Sequence, residues 1–124
     1  MKGFKALAAV LLVTGLLASA MTASAGAAAF RHYIACGISQ TSKPAHSCPK
    51  LAKKGAFFKS VNTDVVYAVC VKFPGGKHLC VHSQKATQGT LYVNKITSTN
   101  VGVHVVSWYV KGKKVAATVF RVTG

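Results

Sequence analysis

The chain has 124 residues, of which sixteen are lysine or arginine and one is acidic, giving a formal net charge of +15. Because Asp64 is the only carboxylate side chain, the sequence excludes a glycosidase with paired carboxylates and a metal cage built from carboxylates. The length allows one small domain, which is only marginally stable without crosslinks.

The N-terminal segment predicts a signal peptide over residues 1–25. It has a basic start and an apolar run, and it ends in Ala23-Ser24-Ala25, the small-x-small pattern that signal peptidase cleaves. The alternative is a retained membrane anchor, because the uncharged stretch 6–30 is long enough to span a bilayer. Its second half is Ala, Ser, Thr and Gly, which partition weakly into hydrocarbon. We therefore expect cleavage, a secreted or cell-surface protein, and a single domain over residues 26–124 with no transmembrane segment.

The charge of the expected mature chain is strongly positive. Two of the sixteen basic residues lie in the signal peptide, so fourteen remain against one acid, a net charge of +13. Such a chain attracts polyanions such as wall polymers, anionic lipid, polysaccharide or nucleic acid. The alternative is that the positive charge only keeps a secreted protein soluble.

The remaining sequence is rich in Val, Thr, Tyr and Phe, which favour strands. Residues 47–55 are the exception and predict one helical turn, with Ser47 as its cap and Gly55 at its end. Seven short strands are predicted, in chain order over residues 31–38, 56–61, 65–73, 78–83, 90–96, 103–110 and 115–122. Seven short strands separated by turn signals predict an all-β fold, an antiparallel β-sandwich.

The four cysteines predict two disulfides. An even number of cysteines in an exported chain favours a disulfide framework, although the sequence alone allows three pairings. Residues 74–76, Pro-Gly-Gly, form a three-residue turn, and in that register Cys70 lies directly opposite Cys80, within bridging distance. By elimination, Cys36 pairs with Cys48.

Strand alternation sorts the side chains of this hairpin into two faces. The polar face carries the disulfide with Lys72, His78 and His82. The apolar face is predicted to point into the core and comprises Val65, Tyr67, Val69, Val71, Phe73, Leu79 and Val81.

The same hairpin does not fit a metal site or a phosphate-binding loop. Side chains at i, i+2 and i+4 of a strand diverge, whereas the ligands of a tetrahedral zinc ion must converge. The Pro-Gly-Gly-Lys segment also lacks the Gly-Lys-Ser/Thr ending of a phosphate loop. We therefore expect no metal and no cofactor.

Catalytic patterns are also missing from the sequence. No Gly-x-Ser-x-Gly motif accompanies Asp64. A small basic ribonuclease could use two histidines and a lysine, but no spacing favours it among the histidines at 32, 46, 78, 82 and 104. The sequence therefore predicts a protein that is not an enzyme.

The C-terminal third carries a resemblance to a known family. Residues 100–106, Asn-Val-Gly-Val-His-Val-Val, have the spacing of the Asp-x-Gly-x-Tyr-x-Cys corner of immunoglobulin domains, with His104 in place of the tyrosine. Residues 108–122 add a Trp-Tyr-Val…Gly-Lys…Val…Phe-x-Val pattern. Together they resemble bacterial secreted immunoglobulin-like modules, and the run 85–97 is similar to that of small exported bacterial proteins.

The resemblance implies an immunoglobulin-like β-sandwich of about seven strands, with His104 as a structural corner residue. The chain departs from true immunoglobulin domains because no Cys…Trp…Cys arrangement links the sheets and its two bridges are local, which leaves the strand order open. It implies no particular activity, because modules of this fold serve as spacers, adhesins and receptors.

We expect a non-enzymatic binding or surface-associated module whose partner is an anionic cell-envelope polymer or another polyanion, with no specific nucleic acid. The lysines expected to bind it lie at two turns and are Lys72, Lys77, Lys111, Lys113 and Lys114. Two alternatives are a secreted basic effector, such as a nuclease or a membrane-active toxin, and a structural domain that assembles through its sheet edges.

Overall fold

The computed structural model describes residues 29–124, so the predicted signal peptide lies outside the described residues. None of the described segments forms a helix long and apolar enough to cross a membrane. The strands are β1 (Phe30–Ala35), β2 (Ser47–Pro49), β3 (Lys54–Ser60), β4 (Val65–Lys72), β5 (His78–Ala86), β6 (Leu91–Ile96), β7 (Gly102–Val110) and β8 (Lys113–Thr123).

The eight strands form two sheets packed face to face, which confirms the predicted all-β sandwich. One sheet has three strands in the order β1-β3-β6, and the other has five in the order β2-β8-β7-β4-β5. Every pair of neighbours is antiparallel except β2 and β8, which run parallel.

The short strand β2 replaces the helical turn predicted over residues 47–55, and that prediction is wrong. Ser47–Pro49 pairs with residues 121–123 of β8. The backbone N–H of Arg121 donates to His46 O at 2.8 Å, and that of Lys50 donates to Thr123 O at 2.8 Å. These hydrogen bonds hold the backbone extended along the edge of β8, so residues 47–49 cannot form a helical turn.

The β4–β5 hairpin has the predicted crosslink, and the predicted register holds from Val69 to Lys72, whereas a bulge shifts residues 65–67 by one position. Cys70 pairs with Cys80 across the two strands, their Cα atoms are 4.0 Å apart, and a disulfide joins them. The backbone N–H of Phe73 donates to Lys77 O at 2.8 Å, which closes the turn over residues 74–76. Gly75 and Gly76 have φ of 92° and 98°, a conformation that glycine adopts without steric cost.

The core prediction holds for β4 and fails for β5. All of the predicted inward side chains from Val65 to Phe73 are buried, together with Trp108. Leu79 and Val81 point to the same side of the sheet, but they are 55% and 49% exposed. The three-stranded sheet ends at β6, so within residues 29–124 no strand covers these two side chains.

The second disulfide, Cys36–Cys48, also forms as predicted. Cys36 directly follows β1 of the three-stranded sheet, whereas Cys48 lies in β2 of the five-stranded sheet. A bridge that is local in sequence, with a separation of 12 residues, therefore joins the two sheets. Cys48 is fully buried, whereas Cys80 of the other disulfide is exposed.

On the opposite side of the sandwich, hydrogen bonds among Tyr67, Gln84 and Asn94 connect the sheets, and we call this group the amide clasp. Asn94 Nδ2 donates to Gln84 Oε1 at 2.6 Å, and Gln84 Nε2 donates to Asn94 Oδ1 at 3.1 Å. The Tyr67 hydroxyl donates to Asn94 Oδ1 at 3.0 Å. Burial of this phenol, with a smaller contribution from Tyr92, raises the pKa of Tyr67 to about 12.

Candidate binding surface

The structure divides the five predicted lysines into two groups at opposite ends of the five-stranded sheet. Tyr67, early in β4, pairs with Val110, next to the β7–β8 turn. Lys72, at the end of β4, pairs with Val105. At roughly 3.4 Å per residue, Lys72 therefore lies about 17 Å along the sheet from the group formed by Lys111, Lys113 and Lys114.

The β7–β8 turn presents the larger group. Lys111 and Gly112 have φ of 53° and 78°, as required in a two-residue type I′ turn, so Lys111 lies at the tip of the hairpin. Lys114 pairs with Tyr109, and its Nζ is 6.0 Å from the centre of that ring. This distance is at the outer limit of a cation–π interaction, so Lys114 keeps its charge available at the surface.

The β4–β5 turn presents the smaller group, Lys72 and Lys77. Lys72 pairs directly with His78, and both side chains are exposed. The turn is fixed against β7, because a Cβ added at Gly102, which has φ of +133°, would lie 3.1 Å from Pro74 Cγ. A side chain at Gly102 would crowd Pro74 and would also be strained at this φ, which glycine adopts readily.

The outer face of the five-stranded sheet, which also carries Lys72 and Lys114, is partly apolar. Val66, Val103 and Val119 are 49%, 42% and 54% exposed. A groove of about 390 Å³ crosses this face beside Tyr109 and the hairpin disulfide. Exposed apolar side chains with charged groups at their margins are typical of interaction surfaces.

Asp64 lies at the Lys111 end of the five-stranded sheet, since both residues line one groove, whereas Lys54 belongs to the three-stranded sheet. The Asp64 carboxylate accepts a hydrogen bond from the backbone N–H of Gln88 at 2.8 Å. Lys54 is 2% exposed, and its Nζ donates to the carbonyls of Lys50 and Ala52 at 2.9 and 2.8 Å. Burial lowers the pKa of Lys54, and the two carbonyl contacts of this side chain close the loop of residues 50–52.

The sequence reasoning missed a second basic region. A groove of about 670 Å³ runs beside β1 and is lined by Arg31, His32, His46 and Lys59, among others. His32 lies against Trp108, with 5.2 Å between ring centres, and partial burial lowers the pKa of His32. Arg31 and Lys59 therefore carry the charge at neutral pH. No spacing could have indicated this groove, because its residues come from five separate segments.

His104 has the structural role expected of the corner residue. It is fully buried between Phe73 and Phe120. Its Nδ1 donates to Gly102 O at 3.1 Å, and its Nε2 accepts from the Ser98 hydroxyl at 2.8 Å. Both ring nitrogens are used to hold the segment that leads into β7.

The region that the structure describes, residues 29–124, contains no cluster of three or more His, Cys, Asp or Glu side chains that could hold a metal ion. His78 and His82 lie on the same strand as Cys80, but this cysteine is bonded to Cys70. Its sulfur is therefore not a thiolate ligand.

Comparison with known proteins supports the fold alone. The sequence matches no protein-family profile, and a comparison with curated proteins gives no match. The crystal structure of an immunoglobulin-like protein from Pseudomonas aeruginosa superposes with a TM-score of 0.53 and 12% sequence identity, over 75% of this chain and 90% of that chain. This chain has an immunoglobulin-like fold.

The strand order completes the immunoglobulin-like description that the sequence left open. Strands β1, β3 and β6 take the places of A, B and E in one sheet, and β8, β7 and β4 take those of G, F and C in the other. Such folds serve as binding or structural modules. Two disulfides are typical of proteins in oxidising, extracellular compartments.

Proposed function

We propose that this protein is a secreted or cell-surface binding module, without enzymatic activity, that binds an anionic cell-envelope polymer. The lysines at the two ends of the outer face, at positions 72, 77, 111, 113 and 114, make the contacts. The proposal does not require a cofactor or a metal ion.

One observation carries this proposal: two basic groups lie about 17 Å apart along the five-stranded sheet, with no acidic side chain between them. A small anion could contact only one of the groups. A flexible polymer with repeated negative charges can contact both, so its binding to one group raises the effective concentration at the other. The exposed valines and Tyr109 on the outer face offer apolar contact to the polymer backbone.

Retention of the protein on isolated cell envelopes over a salt series tests the proposal. We expect retention at low salt and release by roughly 0.5 M salt, because the Debye length then falls to a few ångströms. Retention that does not change with salt would contradict electrostatic binding. Purified anionic wall polymer, RNA and anionic vesicles serve as parallel probes, and preference for RNA or vesicles would favour the effector hypothesis.

Paired variants locate the contact. We expect Lys72→Ala/Lys77→Ala and Lys111→Ala/Lys114→Ala each to shift elution to lower salt, with the combination more severe than either pair. The matched control is Lys43→Ala/Lys50→Ala, which removes the same charge from exposed positions away from the outer face. Equal shifts in all three pairs would show that only net charge matters and would contradict a defined surface.

A further inference from the structure

We propose that the side of the sandwich between β5 and β6 accepts an extended, acidic segment of a partner protein as an added β-strand. This site and its partner class are separate from the outer face and its polymer. In the described part of the chain, the edge of β5 away from β4 and the edge of β6 away from β3 have no strand partner. Unpaired edges present N–H and C=O groups that another strand can satisfy.

The immunoglobulin-like strand order shows which position is vacant. In constant-type immunoglobulin domains, a fourth strand, D, pairs with strand E in the sheet that contains A and B. Here β6 takes the place of E, and among residues 29–124 no strand takes the place of D. An incoming strand paired with β6 would therefore complete a sheet of the usual size.

The vacant position leads into an apolar groove. Leu79 and Val81 point inward from β5 but are 55% and 49% exposed. They form one wall of a groove of about 180 Å³, whose other lining residues include Val71, Phe73 and Ile96. Leu79 and Val81 are two residues apart on one strand, about 6.6 Å, which matches the spacing of alternate side chains on an added strand.

Two features limit the length of the site. The amide clasp connects Gln84 to Asn94 and closes the sandwich on one side of the groove. A register shift in β5, where Ser83 has φ of 56°, ends the regular part of the strand next to it. The site therefore covers residues 78–81 of β5 and 94–97 around the end of β6, which is the length of a short peptide strand.

Charge determines which strand fits. Lys95 is exposed and lines the groove. Asp64, the only acid of the chain, lies at the far end of β4. A strand that alternates apolar and acidic residues places its apolar side chains in the groove and its carboxylates beside Lys95. A second copy of this chain is disfavoured as the occupant, because two copies that each carry a net charge of +15 repel each other.

A labelled ten-residue peptide of alternating Val and Glu, acetylated and amidated, tests this inference by fluorescence anisotropy with the oxidised protein. We expect binding that requires alternation, so a peptide with the same residues in two blocks binds much more weakly. We also expect the amide NMR signals of residues 78–81 and 94–97 to shift. No binding up to millimolar peptide, or equal binding of the block peptide, would overturn the proposal.

Matched variants separate the groove from the rest of the apolar surface. Leu79→Gln/Val81→Gln is expected to weaken binding about tenfold, since two apolar contacts are lost without a change of charge. The control, Val103→Gln/Val119→Gln, alters residues of similar exposure on the outer face and is expected to leave affinity within about twofold. Equal loss in both pairs would overturn the assignment.

Two further measurements complete the test. N-methylation of every second residue removes the N–H groups along one edge of the peptide, so one peptide is methylated at its valines and another at its glutamates. If the peptide pairs as a strand, we expect one of the two to lose binding and the other to keep it. Equal binding of both methylated peptides would overturn strand pairing. Sedimentation of the protein alone is expected to show a monomer, and a dimer broken by Leu79→Gln/Val81→Gln would assign the site to a second copy.

Discussion

The two lateral sides of the sandwich are joined in different ways. On the β1–β2 side the chain crosses from one sheet to the other, and the Cys36–Cys48 disulfide joins the two ends of the crossing segment. On the β5–β6 side the chain also crosses, through residues 87–90, but no disulfide closes this crossing, and the side chains of the amide clasp connect the two strands. The first side is closed by a covalent bond between cysteines, whereas the second is closed by hydrogen bonds worth about 1 kcal/mol each.

The difference indicates how stability and binding are distributed. The covalent side holds the two sheets together whether or not a ligand is present. The clasped side leaves two strand edges and an apolar groove free, so the groove can exchange partners without loss of the fold. The grooves also differ in chemistry, because the one beside β1 is lined by Arg31 and Lys59 and the one beside β5 by Leu79 and Val81.

Removal of each disulfide in turn should give the largest difference in the free energy of unfolding between the two sides of the sandwich. The loops have similar lengths, 12 and 10 residues, so the chain-entropy estimate is somewhat under about 3 kcal/mol for both. We expect Cys36→Ala/Cys48→Ala to cost more than this estimate, because Cys48 is fully buried and joins the sheets. Cys70→Ala/Cys80→Ala should cost less, because β4 and β5 stay paired on both sides of the bridge.

Urea unfolding of the two double variants, followed by circular dichroism, measures the difference. Equal free energies of unfolding would show that only the closed loops matter and that the connection between sheets adds nothing.

Disruption of the amide clasp should give the next largest loss in the free energy of unfolding. Asn94→Ala removes the partner of both Tyr67 and Gln84, and we expect it to lower the free energy of unfolding by about 1–3 kcal/mol. The control is Gln40→Ala, which removes one exposed hydrogen bond to Leu91 O and should change stability by less than about 0.5 kcal/mol. A similar loss in both variants would contradict a connecting role for the clasp.

The half-exposed groove residues Leu79 and Val81 should contribute less to stability than the buried groove residue Val71. We expect Val71→Ala to cost about 2 kcal/mol, because this side chain is 9% exposed and its truncation leaves a cavity. Leu79→Gln and Val81→Gln should each cost under about 1 kcal/mol, since both side chains are half exposed. Larger losses at Leu79 or Val81, measured by thermal unfolding, would show that the fold requires them.

Near neutral pH the ionisation of Tyr67 should give the smallest effect, because it begins only above pH 10. The folded protein holds the Tyr67 proton up to a pKa of about 12, whereas the unfolded chain releases it near 10.0. The stabilisation is therefore complete below pH 10 and is lost as the pH rises from 10 to 12. Absorbance of tyrosinate at about 295 nm should show one late ionisation that is missing in Tyr67→Phe, and a wild-type curve without a late step would contradict burial of this phenol.

The sequence was sufficient for features whose partners are close along the chain. Cys70 and Cys80 flank a short turn, so the turn length alone set their register. His104 was predicted to be a corner residue from a seven-residue pattern, and its Nδ1 donates a hydrogen bond to Gly102 O.

Features with distant partners could not be predicted in the same way. Alternation showed that Leu79 and Val81 point inward, but it could not show that the other sheet ends before them. The strand Ser47–Pro49 pairs with residues 121–123 of β8, which are more than 70 positions later in the sequence. The local helix signals therefore gave a wrong prediction. The separation of the lysine groups required the strand order, which no local pattern contains.

The parallel pairing of β2 with β8 also affects the order of events during synthesis. Cys48 lies opposite Val122, so β2 has no backbone partner until residues 121–123 have left the ribosome. The β4–β5 hairpin needs no residue beyond Ala86 and can form much earlier. Non-local pairings of this kind slow folding. The nascent chain therefore carries an unpaired β2 until its last strand is made, although β1 can already pair with β3.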